Sequence, residues 1–283
     1  TVEVIVVDNG SRGDTAAELS RRFPDVTVIA AGGNLGFAKA NNIGIRATGS
    51  EHVLLLNPDT MPRPDFVEQI VAPLELDSRL VAVAGTLVFS SRPDIIASAG
   101  IGVHRNGVAV DACIGQRMKQ QRGLQPVFGA SGGAVAYRTA AFIDAGGFCE
   151  SFFMYLEDVD LAWRLRLRGW EAVSSLDAVA THDYSSSAGE GSPFKRRLLA
   201  RNRIWVLARC LPSSMWALDR QSIVGFDAAA FVYGVLTRDG ASLAGRVSAL
   251  AGPPARLEER TRIQATASIE WAEISRWIQP AIS

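Results

Sequence analysis

The chain has 283 residues, 48% of them hydrophobic, and 29 Lys plus Arg balance 29 Asp plus Glu. That length and apolar content suit one large α/β domain with an appendage, while the balanced charge excludes a global field that would draw nucleic acid or an anionic membrane. Cys113, Cys149 and Cys210 are too few and too scattered for a disulfide framework or a thiolate zinc site, which fits a reducing cytosol.

The chain opens at Thr1 on Val2-Glu3-Val4-Ile5-Val6-Val7, a strand pattern without the charged start and cleavage site of a signal peptide, and it reads as cut at its N-terminus. Short β-branched runs then alternate with helical patterns: strand at 3–7, helix at 15–23, strand at 26–30, helix at 37–47, strand at 52–56, helix at 65–76 and strand at 80–88. This alternation predicts βαβ units and a largely parallel sheet. The continuously apolar runs Ile5-Val6-Val7 and Val53-Leu54-Leu55-Leu56 predict strands covered by helices on both faces. Residues 90–125 dissolve into Gly, Arg and polar residues and read as surface loops around a cleft.

Regularity returns with a strand at 133–137, a small helix, and Gly146-Gly147. A helix starts near Leu156 and is ended by Gly169, and strands follow at 170–174 and 178–182. Residues 185–193 are the most linker-like segment, and everything beyond them reads as helix, broken near Pro212 and at Gly252-Pro253-Pro254. Residues 223–236 are the best membrane-spanning candidate. They fall short of the roughly 18 apolar residues required and include Asp227, so no spanning segment is expected and attachment to a membrane surface stays open.

Two strands end in a carboxylate and turn formers: Val6-Val7-Asp8-Asn9-Gly10-Ser11 and Leu54-Leu55-Leu56-Asn57-Pro58-Asp59-Thr60. In open α/β sheets ligands bind beyond the carboxyl ends of strands, so Asp8 and Asp59 sit where a ligand would; Asn, Pro and Asp are equally ordinary turn residues. Gly32-Gly33-Asn34-Leu35-Gly36 joins a strand to a helix without matching the dinucleotide-binding G-x-G-x-x-G pattern. It is either a tight turn or a loop that brings backbone and Asn34 close to a ligand.

The most acidic stretch is Phe153-Met154-Tyr155-Leu156-Glu157-Asp158-Val159-Asp160-Leu161. First-turn carboxylates compensate unpaired N–H groups and the positive end of the helix dipole, and Asp160 stands four residues before Arg164, so Asp160 reads as structural. Glu157 and Asp158 point about 100° apart, so one caps or pairs while the other faces a cleft. A carboxylate beside Phe152, Phe153 and Tyr155 is partly desolvated, which raises its pKa toward that of a general base.

With Val-Val-Asp8-Asn-Gly-Ser, Asn34-Leu-Gly-Phe-Ala, Leu-Leu-Asn57-Pro-Asp59-Thr and Glu157-Asp158-Val-Asp-Leu in this order, the chain resembles inverting family 2 glycosyltransferases of the GT-A fold, and among them the rhamnosyltransferase-like branch. The resemblance covers roughly residues 2–182 and extends to Arg201-Asn202-Arg203-Ile204-Trp205. It implies a three-layer α/β/α domain with a mostly parallel mixed sheet over residues 1–190, and a C-terminal helical extension over 191–283. Members normally begin with a further strand and helix, which this chain starts after.

By the same resemblance, Asp8 contacts the nucleotide, Asn34, Gly36, Asn57 and Gly132 line the nucleotide-sugar site, and Asp59 holds a divalent cation, Mg²⁺ or Mn²⁺, where relatives carry a DxD-type motif. His182 approaches that cation or the pyrophosphate, Arg201 the diphosphate. Asp158 is the catalytic base, with Glu157 on the acceptor side, and residues 185–193 close over the donor. The implied reaction moves a sugar, such as L-rhamnose from its thymidine diphosphate, to a hydroxyl of a cell-envelope glycan or polyprenyl-linked glycan in the cytoplasm. A nucleotidyltransferase shares such a fold and metal carboxylates but does not require Glu157-Asp158. A glycosyltransferase-like domain without activity is the non-enzymatic alternative.

Overall fold

The computed structural model describes residues 2–118, 122–183, 191–250 and 253–281. The predicted alternation is present: β1 (Ile5–Asp8), α1 (Thr15–Arg22), β2 (Thr27–Ala30), α2 (Phe37–Arg46), β3 (His52–Leu56), β4 (Thr60–Pro62), α3 (Phe66–Leu76) and β5 (Leu80–Phe89). β1 and β2 form their own parallel pair. All four residues of β1 are half-buried, where its apolar sequence led us to expect full cover.

The central sheet runs β3-β10-β5-β11-β4, where β10 is Ala134–Arg138 and β11 is Glu171–His182. β3, β5 and β11 point the same way, as βαβ units demand, yet most hydrogen-bonded neighbours are antiparallel. β10 runs against both β3 and β5, and only β5 and β11 pair in parallel within this sheet. The alternating pattern fixes strand direction but not which strand inserts between two others. The two strands expected at 170–174 and 178–182 are one long strand, β11, whose register against β5 slips between Ser175 and Val179.

Residues 90–125 are more regular than their composition suggests. β6 (Arg92–Ser98) folds back on β5, while β7 (Ile101–His104) and β8 (Ala109–Asp111) make a hairpin, and β9 (Leu124–Pro126) pairs with β11. β7 is joined on its other edge by β12 (Ile278–Gln279) from the chain end. That pairing spans most of the chain, so no local pattern announces it.

After α4 (Thr139–Asp144) comes α5 (Glu157–Leu167), then α6 (Pro193–Cys210), α7 (Ser213–Leu236), α8 (Gly240–Ala249), α9 (Pro253–Ala265) and α10 (Trp271–Ile274). Ser192 caps α6 through Lys195 N, with Pro193 at its first position. The helices beyond residue 191 share one apolar cluster with the preceding part, running through Ile101, Phe128, Phe152, Trp163, Trp205, Ile263 and Ile274. Among the described residues no helix is long and apolar enough to cross a membrane.

Candidate active site

Because β3, β5 and β11 share a direction and β10 opposes them, three strand carboxyl ends and the amino end of β10 meet at one rim. Asn57 and Asp59 follow β3, His182 closes β11, and Gly132 and Gly133 precede β10. Asn57 N donates to Gly133 O at 3.0 Å, which ties the β3 turn to the β10 entrance. Thr60 N and Oγ1 both donate to Asn57 O, so the Asn-Pro-Asp segment is a closed turn. His182 Nε2 and Asp59 Oδ1 lie 3.0 Å apart.

Every residue of α5 is buried except Asp158. A helix covered on all sides belongs in the middle of the molecule, and Asp158 is its one half-exposed side chain, beside the rim. Its Oδ2 accepts from Gly132 N at 3.0 Å and its Oδ1 from Val159 N at 2.8 Å. A Cβ on Gly132 would stand 3.0 Å from the Phe37 ring and 3.8 Å from Asp158 Oδ2, so glycine lets the backbone reach the carboxylate. Burial raises the Asp158 pKa; the two amides pull it down and the nearby Asp111 carboxylate pushes it up again.

Asp111, at the end of β8, is the site residue that sequence reasoning missed. Burial raises its own pKa against the pull of Ser98, Lys195 and His182, so three groups from separate elements share its surroundings. Its only sequence signal was one acid closing a short strand in a stretch read as loops. Lys195, on α6, stands near it, 5.6 Å from the Tyr155 ring centroid.

The nucleotide-side residues assemble on β1 and the start of α2. Asp8 Oδ1 accepts from Ser11 N at 2.9 Å, and hydrogen bonds from the Ser11 side chain and backbone hold its carboxyl below the usual range. This is the Asx-turn arrangement, which also keeps the carboxylate ionised at the end of β1. Asn9, not singled out in the sequence, clamps the two loops together. Its Oδ1 accepts from Leu35 N at 2.8 Å and its Nδ2 donates to Gly36 O at 3.3 Å. Asn34 Oδ1 accepts from Gly36 N at 3.0 Å. Gly36 has φ +82°, and a Cβ there would stand 2.5 Å from Phe153 O, so this position requires glycine. Contacts therefore run unbroken from the Asp8 loop through Gly36 and Phe37 to Gly132 and Asp158.

Two expected roles move. Glu157, expected on the acceptor side, is 5% exposed and faces the interior. Its Oε2 is buried without a hydrogen-bond partner, and burial, with Asp158 and Asp160 adding to it, pushes its pKa well above the carboxylate range. It stays inside the fold, away from the acceptor side. Arg201, expected at a diphosphate, stacks on Trp205 at 4.3 Å and donates to the carbonyls of Phe152 and Ser151 and to Asn202 Oδ1. A guanidinium committed to backbone carbonyls is a scaffold element.

Glu157→Gln is expected to stabilise the protein at neutral pH, by about 1 kcal/mol or more, which is roughly 2–4 °C in melting temperature. The raised pKa means the native state holds a proton that the unfolded chain releases, so the wild type loses stability as pH rises from the ordinary glutamate value upward. Melting curves from pH 4 to 8 should show the gap to the variant widening with pH.

Among the described residues no group of three or more His, Cys, Asp or Glu converges as a complete metal cage. Asp59 and His182 supply one carboxylate and one imidazole 3.0 Å apart. That pair suits a divalent cation that takes the rest of its coordination from a substrate's phosphates and from water, as Mg²⁺ and its congeners do. The closing segment expected at 185–193 lies, over 185–190, outside the described residues.

Comparison with known proteins agrees with this geometry. The family described as "Glycosyl transferase family 2" matches residues 1–146. An N-acetylglucosaminyl-diphospho-decaprenol L-rhamnosyltransferase of Mycobacterium tuberculosis is 29% identical over 211 residues, covering 66% of this chain and 68% of the relative. Staphylococcus aureus TarS 1-349 in complex with UDP-GlcNAc superposes with a TM-score of 0.55 at 13% identity, over 93% of this chain and 82% of that one. Mannosyltransferase PcManGT from Pyrobaculum calidifontis, in complex with GDP-Man and Mn²⁺, gives 0.51 at 18% identity over 93% and 76%. The fold, a mixed sheet with flanking helices and a rim of carboxylates, is the GT-A fold of glycosyltransferases. The chain belongs to glycosyl transferase family 2.

Proposed function

We propose that the protein transfers L-rhamnose from dTDP-rhamnose, with inversion and with a bound divalent cation, to a hydroxyl of a polyprenyl-linked or cell-envelope glycan. The named activity of the mycobacterial relative supports the donor and acceptor class. The observation that carries the chemistry is Asp158: the one side chain of a buried helix left open to the rim, held by Gly132 N, with its pKa raised by burial.

In this reading Asp8 and the loop of Asn34 and Gly36 receive the nucleotide, and Asn57 and Gly132 border the sugar. Asp59 and His182 would hold Mg²⁺ or Mn²⁺, which would supply charge neutralisation for the departing nucleoside diphosphate. Asp158 takes the proton of the acceptor hydroxyl as that oxygen attacks the anomeric carbon from the side opposite the leaving group. The new C–O bond forms as the sugar–phosphate bond breaks, so the configuration inverts. Access to a lipid-linked acceptor places the enzyme at the cytoplasmic face of a membrane.

Thermal-shift titration tests the donor site. A nucleoside diphosphate with Mg²⁺ or Mn²⁺ is expected to stabilise the wild type, by about 2.7 kcal/mol at a hundred times its Kd, and Asp59→Asn is expected to lose the cation-dependent part. No shift with any nucleoside diphosphate, with or without cation, would contradict the reading.

A further inference from the structure

The turn that leads into α5 is held in an unfavourable backbone conformation. Phe153, Tyr155 and Leu156 have φ of +67°, +70° and +64°, three non-glycine residues within four in the left-handed half of conformational space. Each such residue costs about 1–2 kcal/mol, and strain of this kind persists only where the surroundings over-determine it. Leu156 is the residue that caps α5, so the shape of this turn sets where the helix begins and hence where Asp158, two residues later, is carried.

One side chain accounts for most of the restraint. Asn202, on α6, is fully buried. Its Nδ2 lies 3.2 Å from Phe152 O, 2.9 Å from Met154 O and 2.7 Å from Tyr155 O. Its Oδ1 accepts from Arg201 Nε at 2.8 Å, which fixes the amide with its NH₂ toward the turn. The one carbonyl between these, Phe153 O, is taken by Ala38 N at 3.2 Å. Arg201 Nη2 adds a second donor to Phe152 O at 2.8 Å. An apolar residue at 202 would leave the Met154 and Tyr155 carbonyls without this donor.

We propose that Asn202 is a positioning residue: it clamps the carbonyls of Phe152, Met154 and Tyr155 and so holds Asp158 against Gly132 N in the geometry that proton abstraction requires. The inference rests on the reading of Asp158 as the base. A shift of about 1 Å in a reacting group costs on the order of 10²-fold in rate.

Asn202→Leu, similar in size and without the amide, is therefore expected to lower kcat by about 10–100-fold with KM for the donor unchanged. The acid limb of the kcat profile should move to higher pH, because loosening the Gly132 contact removes a hydrogen bond that holds the Asp158 carboxyl down. The other groups facing Asp158, which are Asp111 on β8, Glu157 on α5 and Tyr137 on β10, stay in place. Leu74→Ala, in the core of α3, is the control for a loss of stability alone and should leave kcat and the pH profile unchanged. If Asn202→Leu does not fold, Asn202→Ser keeps one short donor and is expected to show the same effects in smaller measure.

Amide hydrogen exchange across residues 153–160 separates this proposal from the one it rests on, since loss of the clamp speeds exchange there whether or not Asp158 is the base. A folded variant with wild-type kcat and pH profile, or with unchanged exchange at 153–160, would overturn the role of Asn202. Faster exchange with full activity in Asp158→Asn would overturn the assignment of the base and leave the clamp standing.

Discussion

Replacing Asp158 with Asn is expected to lower kcat by about 10²–10⁴-fold, the usual contribution of a general base, with donor affinity retained. Asparagine preserves the size of the side chain and can still accept from Gly132 N, so the helix start is undisturbed while the proton acceptor is lost. The wild-type pH profile should carry the same signature. Because burial raises the Asp158 pKa, the base is ionised only above a pH higher than an ordinary aspartate would need. Activity should therefore fall on acidification with a limb above about pH 4, and the residual activity of Asp158→Asn should lack that limb. Steady-state kinetics from pH 4 to 9, with donor and acceptor varied separately, read both effects.

The second large effect concerns stability. Asp160 is fully buried and bridges two helices: its Oδ2 is 2.8 Å from Arg164 Nε in α5, and its Oδ1 is 2.7 Å from Arg209 Nε in α6. Burial by itself would raise its pKa, but the two guanidiniums outweigh that and hold the carboxyl below its ordinary value. Arg164 also donates to the carbonyls of Ala145 and Gly147, and Arg209 also pairs with Glu259. Asp160→Ala leaves two buried cations facing a cavity and is expected to cost about 3–5 kcal/mol, a large share of the stability of a typical domain. Urea unfolding measures it; a loss below about 1 kcal/mol would mean the pair behaves as an exposed one.

The sequence made part of this site readable. The acid placed behind the apolar strand β3 announced the rim, because strand ends in an α/β sheet share one side, while Asp8, on a strand paired only with β2, is linked to it through the Asn9 contacts with the Gly36 loop. The 100° offset between Glu157 and Asp158 announced that they face differently, though not which of them faces inward. That choice is made by packing: α5 is covered all round, and the Gly132 amide marks the single opening. The i, i+4 spacing gave Asp160 its structural role and its Arg164 partner, but Arg209 comes from a helix 49 positions away and carries no local signal.

Asp111 was hidden for a related reason. Its hairpin is completed by β12 from the chain end, and short strands paired over such separations look like loops when read locally. Arg201, expected at a diphosphate, clasps the carbonyls of Ser151 and Phe152; an arginine near a phosphate site and one clasping buried carbonyls have the same sequence appearance. Asn202 stands in the interior of a helical run, where asparagine is a poor helix former. That local cost, beside the resemblance over residues 201–205, hinted that its amide is needed elsewhere.

The central claim is that the rim formed by Asp8, Asp59 and Asp158 performs single-displacement sugar transfer. Its most direct measurement is the anomeric configuration of the glycoside formed from dTDP-rhamnose and a polyprenyl-diphosphate-linked acceptor, followed by NMR together with release of the nucleoside diphosphate. The account predicts release that depends on the acceptor and a product inverted relative to the donor. A product of retained configuration, or no transfer from any sugar nucleotide with cation and acceptor present, would contradict it.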